Sequence, residues 1–371
     1  MKILLALPYS PCPVRRGTGR LIVNLIKGLS LRHEVILVTM TFEDIEDAAL
    51  REIEGPNVSV RMIRMPNRRS LAHRAVYKVR NLVLSAVRRL PAQVLYAAPE
   101  EFLDLISRTA REERVDLVLV SYWHLYGLSG RLKGTRSVLV THDIDFLVHA
   151  ERLRHVTGRV RRFLGGVEAR MRERVEREAY RRYESILALT ERDADLLGRL
   201  PEGAGKVILT LPLAMDLGEY RHDNYVRDRD RILFLGAFGA DFNRDALIYF
   251  TRDVFPLVLE KRPRARLDVV GYGVDGSLMA EAGSNVCFLG GVDDIRPHLG
   301  ACSLMILPLR FGGGVRIRMM EAAAMGTPVV STPTGIAGMG LVYGSDYLEA
   351  ASPVEMAEAV LRLLENSDFA R

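Results

Sequence analysis

The sequence predicts an α/β protein made of two doubly wound parallel sheets. Three observations carry that expectation. Short apolar runs alternate with amphipathic helical stretches along most of the chain, the pattern of parallel strands covered by helices. The alternation starts again near Arg231. And 371 residues exceed what one core organises, at about 150 residues per domain. Domains over 1–215 and 228–371 are expected, joined by a linker over 216–227.

In the first half the expected strands are Lys2–Leu7, Glu34–Val38, Asp116–Val120, Ser137–Thr141 and Ser185–Thr190, each a short apolar run. Gly19–Leu29 and Glu100–Arg111 carry apolar residues at helical spacing. In the second half Arg231–Leu235, Arg266–Val270, Val286–Leu289, Ser303–Leu307 and Pro328–Ser331 read as strands. Ala246–Lys261, Val315–Met325 and Pro353–Leu364 read as helices between and after them. The polar run from His222 to Arg231 reads as part of the linker. Ligands of such sheets bind at the carboxyl ends of the strands, so the informative residues are those just after each strand.

Composition narrows the class. Hydrophobic residues at 48% and charged residues at 26% are ordinary for globular chains and exclude disorder and collagen. No apolar run reaches the ~18–20 residues of a membrane span. The opening Met1–Pro8 is too short for a signal peptide and reads as a first buried strand. Cys12, Cys287 and Cys302 are too widely spaced for a zinc knuckle and odd in number, which fits a reducing cytoplasm. The net charge of +6 favours anionic partners. No basic stretch interleaved with aromatics points to nucleic acid.

Two helices are unusually basic. In Ser70–Leu90, Leu71, Ala75, Val79, Leu82, Ala86 and Leu90 share a face, with Arg74, Lys78, Arg88 and Arg89 away from its centre. That is a solvated surface helix or a docking face for an anionic membrane. Arg159–Tyr183 places Glu168, Glu173 and Glu178 four residues before Arg172, Arg177 and Arg182. This is the favourable orientation on a helix, about 0.3–0.5 kcal/mol per pair, and it argues for a long exposed helix.

The most informative segment is Ser303–Ser331. A strand ends at Pro308, three glycines follow (Gly312, Gly313, Gly314), then a helix stopped by Gly326. Glycine lets backbone N–H groups approach a phosphate, and a helix N-terminus adds positive partial charge. Arg316 and Arg318 fall in the first turn, where cations oppose the helix dipole, so a bound diphosphate is the reason offered for them. The plain alternative is a loop with incidental arginines. Glu321, one turn on, suits ribose hydroxyls or an ion pair with Arg318.

Four features belong to the first half. Gly17-Thr18-Gly19-Arg20 sits between a strand and a helix, as a binding-site glycine loop or an ordinary turn. His142 ends the Val138–Asp143 strand at the expected ligand-binding edge, where an imidazole hydrogen-bonds a ligand or fills a structural role. Asp143 and Asp145 have the spacing of a D-x-D metal triad, read here as chance. Tyr122-Trp123-His124 follows another strand and holds the only tryptophan, a surface for a ligand ring or lipid to stack on or, the reading preferred, part of the core.

Most of the chain, and Arg231–Met339 above all, resembles the retaining family 4 glycosyltransferases of the GT-B fold, in particular a branch with a triple-glycine loop followed by basic residues. The resemblance implies two Rossmann-like domains facing each other across a cleft that closes on its substrates. It implies a nucleotide-diphosphate sugar donor, a hydroxyl acceptor that is a glycan, lipid-linked or a small molecule, and no metal or other cofactor. Of two family glutamates eight positions apart, the ribose-binding one falls on Glu321 and the other on Gly313. Leu233–Asn243 resembles the family's donor loop, which makes Gly236 and Asn243 donor residues. Relatives hold the diphosphate with Arg and Lys where this chain has Ala237 and Asn243, so Arg316 and Arg318 are expected to supply that charge, beside the amides of Gly313 and Gly314. Val269–Gly273 and Phe288–Val292 resemble family turns. Gly17 and Gly19 match the N-terminal glycine loop, and His142 matches a histidine that contacts the donor sugar. His142, Arg316 and Arg318 are the expected catalytic groups. A cytoplasmic enzyme in peripheral contact with an anionic membrane is expected, without nucleic acid. Relatives carry a last crossing helix, so the C-terminus is expected to be shortened. An epimerase of the same fold and a catalytically silent binding subunit are the alternatives.

Overall fold

The computed structural model describes residues 1–14, 17–65, 80, 81, 83–85, 87–154, 156, 158–211, 215–221, 225–280 and 282–366. The chain divides into two compact units, Met1–Ala214 and Met215–Arg371. None of the described helices is long and apolar enough to cross a membrane.

The first unit is built on seven strands: β1 (Lys2–Leu7), β2 (Glu34–Thr41), β3 (Val58–Arg64), β4 (Leu117–Ser121), β5 (Arg136–Thr141), β6 (Ser185–Ala188) and β7 (Val207–Thr210). All neighbours pair in parallel, in the order β3-β2-β1-β4-β5-β6-β7. Central strands are buried on both faces, which is why β1 and β2 read as nearly unbroken apolar runs. Three helices matter below: α1 (Gly17–Ser30), α2 (Asp145–Arg154) and α3 (Arg159–Arg182).

The second unit has six strands: β8 (Asp228–Leu235), β9 (Arg266–Val270), β10 (Val286–Gly290), β11 (Cys302–Leu307), β12 (Val329–Ser331) and β13 (Leu348–Glu349). They are parallel in the order β10-β9-β8-β11-β12-β13. Its helices include α4 (Asp241–Tyr249), α5 (Ile317–Ala324) and α6 (Pro353–Glu365). In each unit the strand order reverses beside the first strand, between β1 and β4 and between β8 and β11. Doubly wound sheets open a crevice at such a switch point.

Several expectations shift. The polar run taken as linker extends less far, because β8 begins at Asp228. Its charges are matched laterally: Arg262 holds Asp230 at 2.6 Å, Arg266 holds Asp228 at 2.9 Å, and Arg231 pairs with Asp268. Within 216–227, Tyr220 is buried in the core of the second unit, which attaches that stretch to it. The single helix expected over Ala246–Lys261 is interrupted. A wide turn over Phe250–Val254 separates α4 from the helix Phe255–Lys261, since Pro256 has no N–H to continue the ladder. Most of the apolar face expected in Ser70–Leu90 (Leu71, Ala75, Val79, Leu82 and Ala86) lies outside the described residues, as do Arg74 and Lys78. So do His222–Asn224 and the last five residues.

Candidate active site

In the second unit the predicted residues gather on both sides of the switch point. After β8 comes the turn Gly236–Ala240 leading into α4. After β11 come the glycine turn and α5. Gly312 and Gly314 have φ of +129° and +69°, a region that suits glycine, while Gly313 between them does not need it. Arg316 is the N-cap of α5 rather than part of its first turn. Its guanidinium lies 5.4 Å from the Phe242 ring centroid. On the other side it packs against Gly312, where a Cβ would come within 2.7 Å of Nη2. Arg316 is 8% exposed although it stands in a loop.

Arg318 reaches back across the switch point. It donates to the Leu235 carbonyl at the end of β8 and, at 2.8 Å, to Oδ1 of Asn243 on α4. The Asn243 amide nitrogen donates to the Ala237 carbonyl at 2.8 Å. Asn243, expected as a direct donor ligand, is thus engaged at both ends, bracing the loop and orienting Arg318. Burial lowers the Arg318 guanidinium to about 9, with the nearby Arg316 charge adding to the effect and Glu321 opposing it. At neutral pH it remains a cation. The buried Glu321 carboxylate accepts from the Tyr220 hydroxyl at 3.1 Å. Sequence reasoning missed Tyr220, which lies in the stretch taken as linker.

The β8 turn is held by a close backbone approach. The Gly236 amide donates to the Val270 carbonyl at 3.0 Å. A Cβ on Gly271 would overlap the Gly236 carbonyl oxygen, and φ there is +152°. Backbone cannot step aside as a flexible side chain does. Gly271→Ala is therefore expected to cost about 2 kcal/mol or more, read by urea unfolding, and to displace the Gly236 turn. Gly291 is similarly tight, here against the Tyr272 ring.

In the first unit His142 follows β5 and is 7% exposed. It stacks on Tyr122 with centroids 4.0 Å apart and planes 10° apart. Tyr122 directly follows β4 with φ +74°, a strained conformation for a non-glycine residue. His124 lies against Trp123 with centroids 4.2 Å apart and planes tilted by 33°, and Trp123 is core. Both ring nitrogens of His142, both of His124, and the Ser121 hydroxyl are buried with no hydrogen-bond partner among the described residues. Buried polar atoms are normally paired, so this edge of the sheet is a place for a ligand or bound water. Burial lowers His142 to about 4 and His124 to about 3, which leaves both neutral at pH 7. A neutral imidazole offers one donor and one acceptor. His124 was not singled out from sequence, where it passed as a neighbour of the core tryptophan.

The segment carrying His142 is anchored from below. Glu176 of α3 is fully buried and accepts from the Asp145 amide at 2.9 Å, the Phe146 amide at 2.7 Å and the Tyr180 hydroxyl at 2.6 Å. The first two are free N–H groups at the start of α2. The Thr141 hydroxyl donates to the Asp143 carbonyl at 2.6 Å. Of the D-x-D pair, Asp145 accepts from Arg172 at 2.8 Å. Gly17 opens α1, and a Cβ on Gly19 would overlap the Pro11 carbonyl oxygen, so Gly19 has a packing reason to be glycine.

Comparison with known proteins agrees with this layout. A phosphatidyl-myo-inositol mannosyltransferase of Mycobacterium tuberculosis is 29% identical over 140 residues, which cover 35% of this chain and 36% of that protein. The matched stretch thus spans about a third of the curated relative's length. Among solved structures, sucrose-phosphate synthase from Thermosynechococcus elongatus superposes with a TM-score of 0.70 at 15% identity, over 100% of this chain and 91% of that one. Anabaena Alr3699/HepE, solved with UDP-glucose, gives 0.67 at 16% identity, again over 100% and 91%. These similarities give both units the Rossmann-like architecture of the GT-B fold. Residues 229–366 match the family described as glycosyl transferases group 1. Residues 16–212, more than half of the chain, match the glycosyl transferase 4-like domain, and the chain belongs to that family.

Proposed function

We propose that the protein is a glycosyltransferase that moves a sugar from a nucleotide-diphosphate donor to a hydroxyl acceptor with retention of configuration. The observation that carries the reading is the pair of guanidinium groups at the switch point of the second unit. Arg316 and Arg318 lie close enough to disfavour each other's charge, beside a glycine turn and the N-terminus of α5. A diphosphate relieves that repulsion by pairing with Arg316, while Arg318, bonded to the Leu235 carbonyl and Asn243, adds its charge from behind. When the bond between the anomeric carbon and the diphosphate breaks, negative charge grows on the departing oxygens. Amides at Gly313 and Gly314 and the two arginines stabilise that charge without having to reorganise. Glu321, oriented by Tyr220, takes the ribose hydroxyls. The neutral His142, held flat against Tyr122, hydrogen-bonds a sugar or acceptor hydroxyl. The acceptor oxygen attacks from the face that the leaving group vacates, and its proton passes to the departing diphosphate oxygen.

The donor is read as a nucleotide sugar because a structural neighbour was solved with UDP-glucose. A lipid acceptor is supported by the mannosyltransferase relative, whose name specifies phosphatidyl-myo-inositol. The residues named account for charge stabilisation without a metal ion. The test is a thermal-shift screen of UDP-, GDP-, ADP- and TDP-sugars. A donor that binds only the folded chain raises its melting temperature, by an amount set by about 2.7 kcal/mol at a hundredfold excess over Kd. One nucleotide class is expected to give a shift, and the product anomer read by NMR is expected to match the donor's. No shift from any nucleotide sugar ends the proposal.

A further inference from the structure

The N-terminal half of α3 is the most apolar exposed helix surface described. Val160 and Phe163 are each 72% exposed, Leu164 is 61% and Val167 is 40%. At 3.6 residues per turn these four fall in one sector about 100° wide. The opposite side is occupied, since a Cβ on Gly165 would overlap the side chain of Leu153 on α2. The C-terminal half of the same helix is packed, with Val175, Glu176, Ala179 and Tyr180 buried. The helix therefore projects its first turns outward, and those turns expose an apolar stripe. A single exposed apolar side chain needs no explanation, but a contiguous stripe marks an interaction surface.

The charge around the stripe selects the occupant. Arg159 and Arg170 border it on one side and Arg161 on the other. Residues 158–167 contain three arginines and no acidic residue, and Glu168, which follows on the Arg161 side, is paired with Arg172 at 2.8 Å. Arg174, farther along α3, donates to the Arg89 carbonyl, and near that residue Val83 and Val87 are also exposed, at 55% and 75%. An apolar centre with a cationic rim is complementary to a surface that is greasy inside and anionic at its border, which is the interface of a bilayer with acidic lipids. A nucleic acid fits the rim and leaves the centre without a partner.

We propose that the Arg159–Val167 part of α3 docks this protein on anionic membranes, with Phe163 and Leu164 entering the acyl boundary and the arginines pairing with lipid phosphates. The anionic-membrane contact expected from sequence was assigned to Ser70–Leu90, whose stripe lies mostly outside the described residues. The structure provides a different helix for it.

The test is flotation with phosphatidylcholine vesicles, alone or with about one third phosphatidylglycerol, at low and physiological salt. The full chain is expected to float with the anionic vesicles and to stay behind with the neutral ones. Arg159→Glu/Arg161→Glu is expected to weaken binding by on the order of thirtyfold or more, at about fivefold per arginine removed. Phe163→Ser/Leu164→Ser is expected to weaken it by about tenfold. Arg199→Glu on another helix is expected to leave binding near the wild-type level. All of these side chains are exposed, so unchanged circular-dichroism melts are expected to show that the variants fold. Equal binding to neutral vesicles, no binding to either, or binding that survives both α3 double variants overturns the proposal. So does a concentration-dependent dimer in sedimentation velocity that Phe163→Ser/Leu164→Ser dissolves, since a second copy would then own the stripe.

Discussion

Glu176→Ala is expected to lower the stability of the first unit by about 3 kcal/mol, enough to move its melting temperature by roughly 6–12 °C. The reason is the set of groups that the carboxyl serves. It accepts from two otherwise unpaired amides at the start of α2 and from the buried Tyr180 hydroxyl. Truncation leaves the two amides unsatisfied in a dry interior, at about 1–3 kcal/mol for each, and leaves the Tyr180 hydroxyl only a 3.5 Å contact with Thr141. Relief of the desolvated carboxyl offsets part of that loss. Burial, together with Asp145 and Asp143, pushes the carboxyl upward from its ordinary value, while the Tyr180 and Phe146 donors pull it back. Glu176→Gln separates shape from chemistry. Its oxygen keeps the Asp145 and Tyr180 contacts, but its NH₂ faces the Phe146 amide, donor against donor, so an intermediate loss is expected. The loop from His142 to Ile144 runs directly into α2. A shifted α2 moves His142, so both variants are expected to lose turnover more than donor affinity. Urea unfolding and a comparison of kcat with KM check the two halves. A Glu176→Ala chain as stable as wild type refutes the capping role.

That residue also shows where reading the sequence stops. In α3 the spacing of Glu168, Glu173 and Glu178 ahead of arginines was legible, and the pairs form at 2.8, 2.9 and 2.8 Å. Glu176 breaks the series, because its partner four residues on is Tyr180. That exception was the available signal of a glutamate turned inward. The strands divide by a similar logic. The central strands, buried on both faces, announce themselves as apolar runs, and all five expected in each unit are present, the edge strand β10 among them. The three missed strands, β3, β7 and β13, all stand at sheet edges. An edge strand is partly exposed and short, so Val58-Ser59-Val60-Arg61-Met62-Ile63-Arg64 mixes charge with apolar residues, and β13 has only two residues. The glycine turn, both arginines, Glu321 and His142 were legible because they follow strands that were themselves legible. Tyr220 and His124 were not. Each acts through a partner distant in sequence or through stacking, and local spacing records neither.

The two arginines, grouped together from sequence, are separated by the structure into different tasks, and their variants are expected to behave differently. Arg318 is part of the scaffold. Its bonds to the Leu235 carbonyl and Asn243 tie α5 to the β8 turn, and hydrogen bonds to a charged group contribute about 1.5–3 kcal/mol each. Arg318→Ala removes both, leaves a strand-end carbonyl and an amide oxygen unpaired, and frees the turn that carries Gly236. Loss of about 3 kcal/mol of stability is expected, with donor binding reduced as well. Arg316 sits at the N-cap of α5, beside Gly312 and the Phe242 ring, and its expected task is to pair with the phosphate. Arg316→Ala is expected to weaken nucleoside-diphosphate binding by about 10–100-fold, the size of one charge-assisted bond, with a smaller change in melting temperature. Calorimetric titration with the nucleotide found in the screen, beside thermal unfolding, gives both numbers for each variant. Asn243→Ala tests the link between them. It leaves both charges in place and releases one end of Arg318, so on this account it resembles a mild Arg318→Ala in both affinity and stability. If Arg316→Ala leaves affinity unchanged while Arg318→Ala abolishes it without loss of stability, the roles are reversed. If neither changes affinity, the diphosphate is held elsewhere.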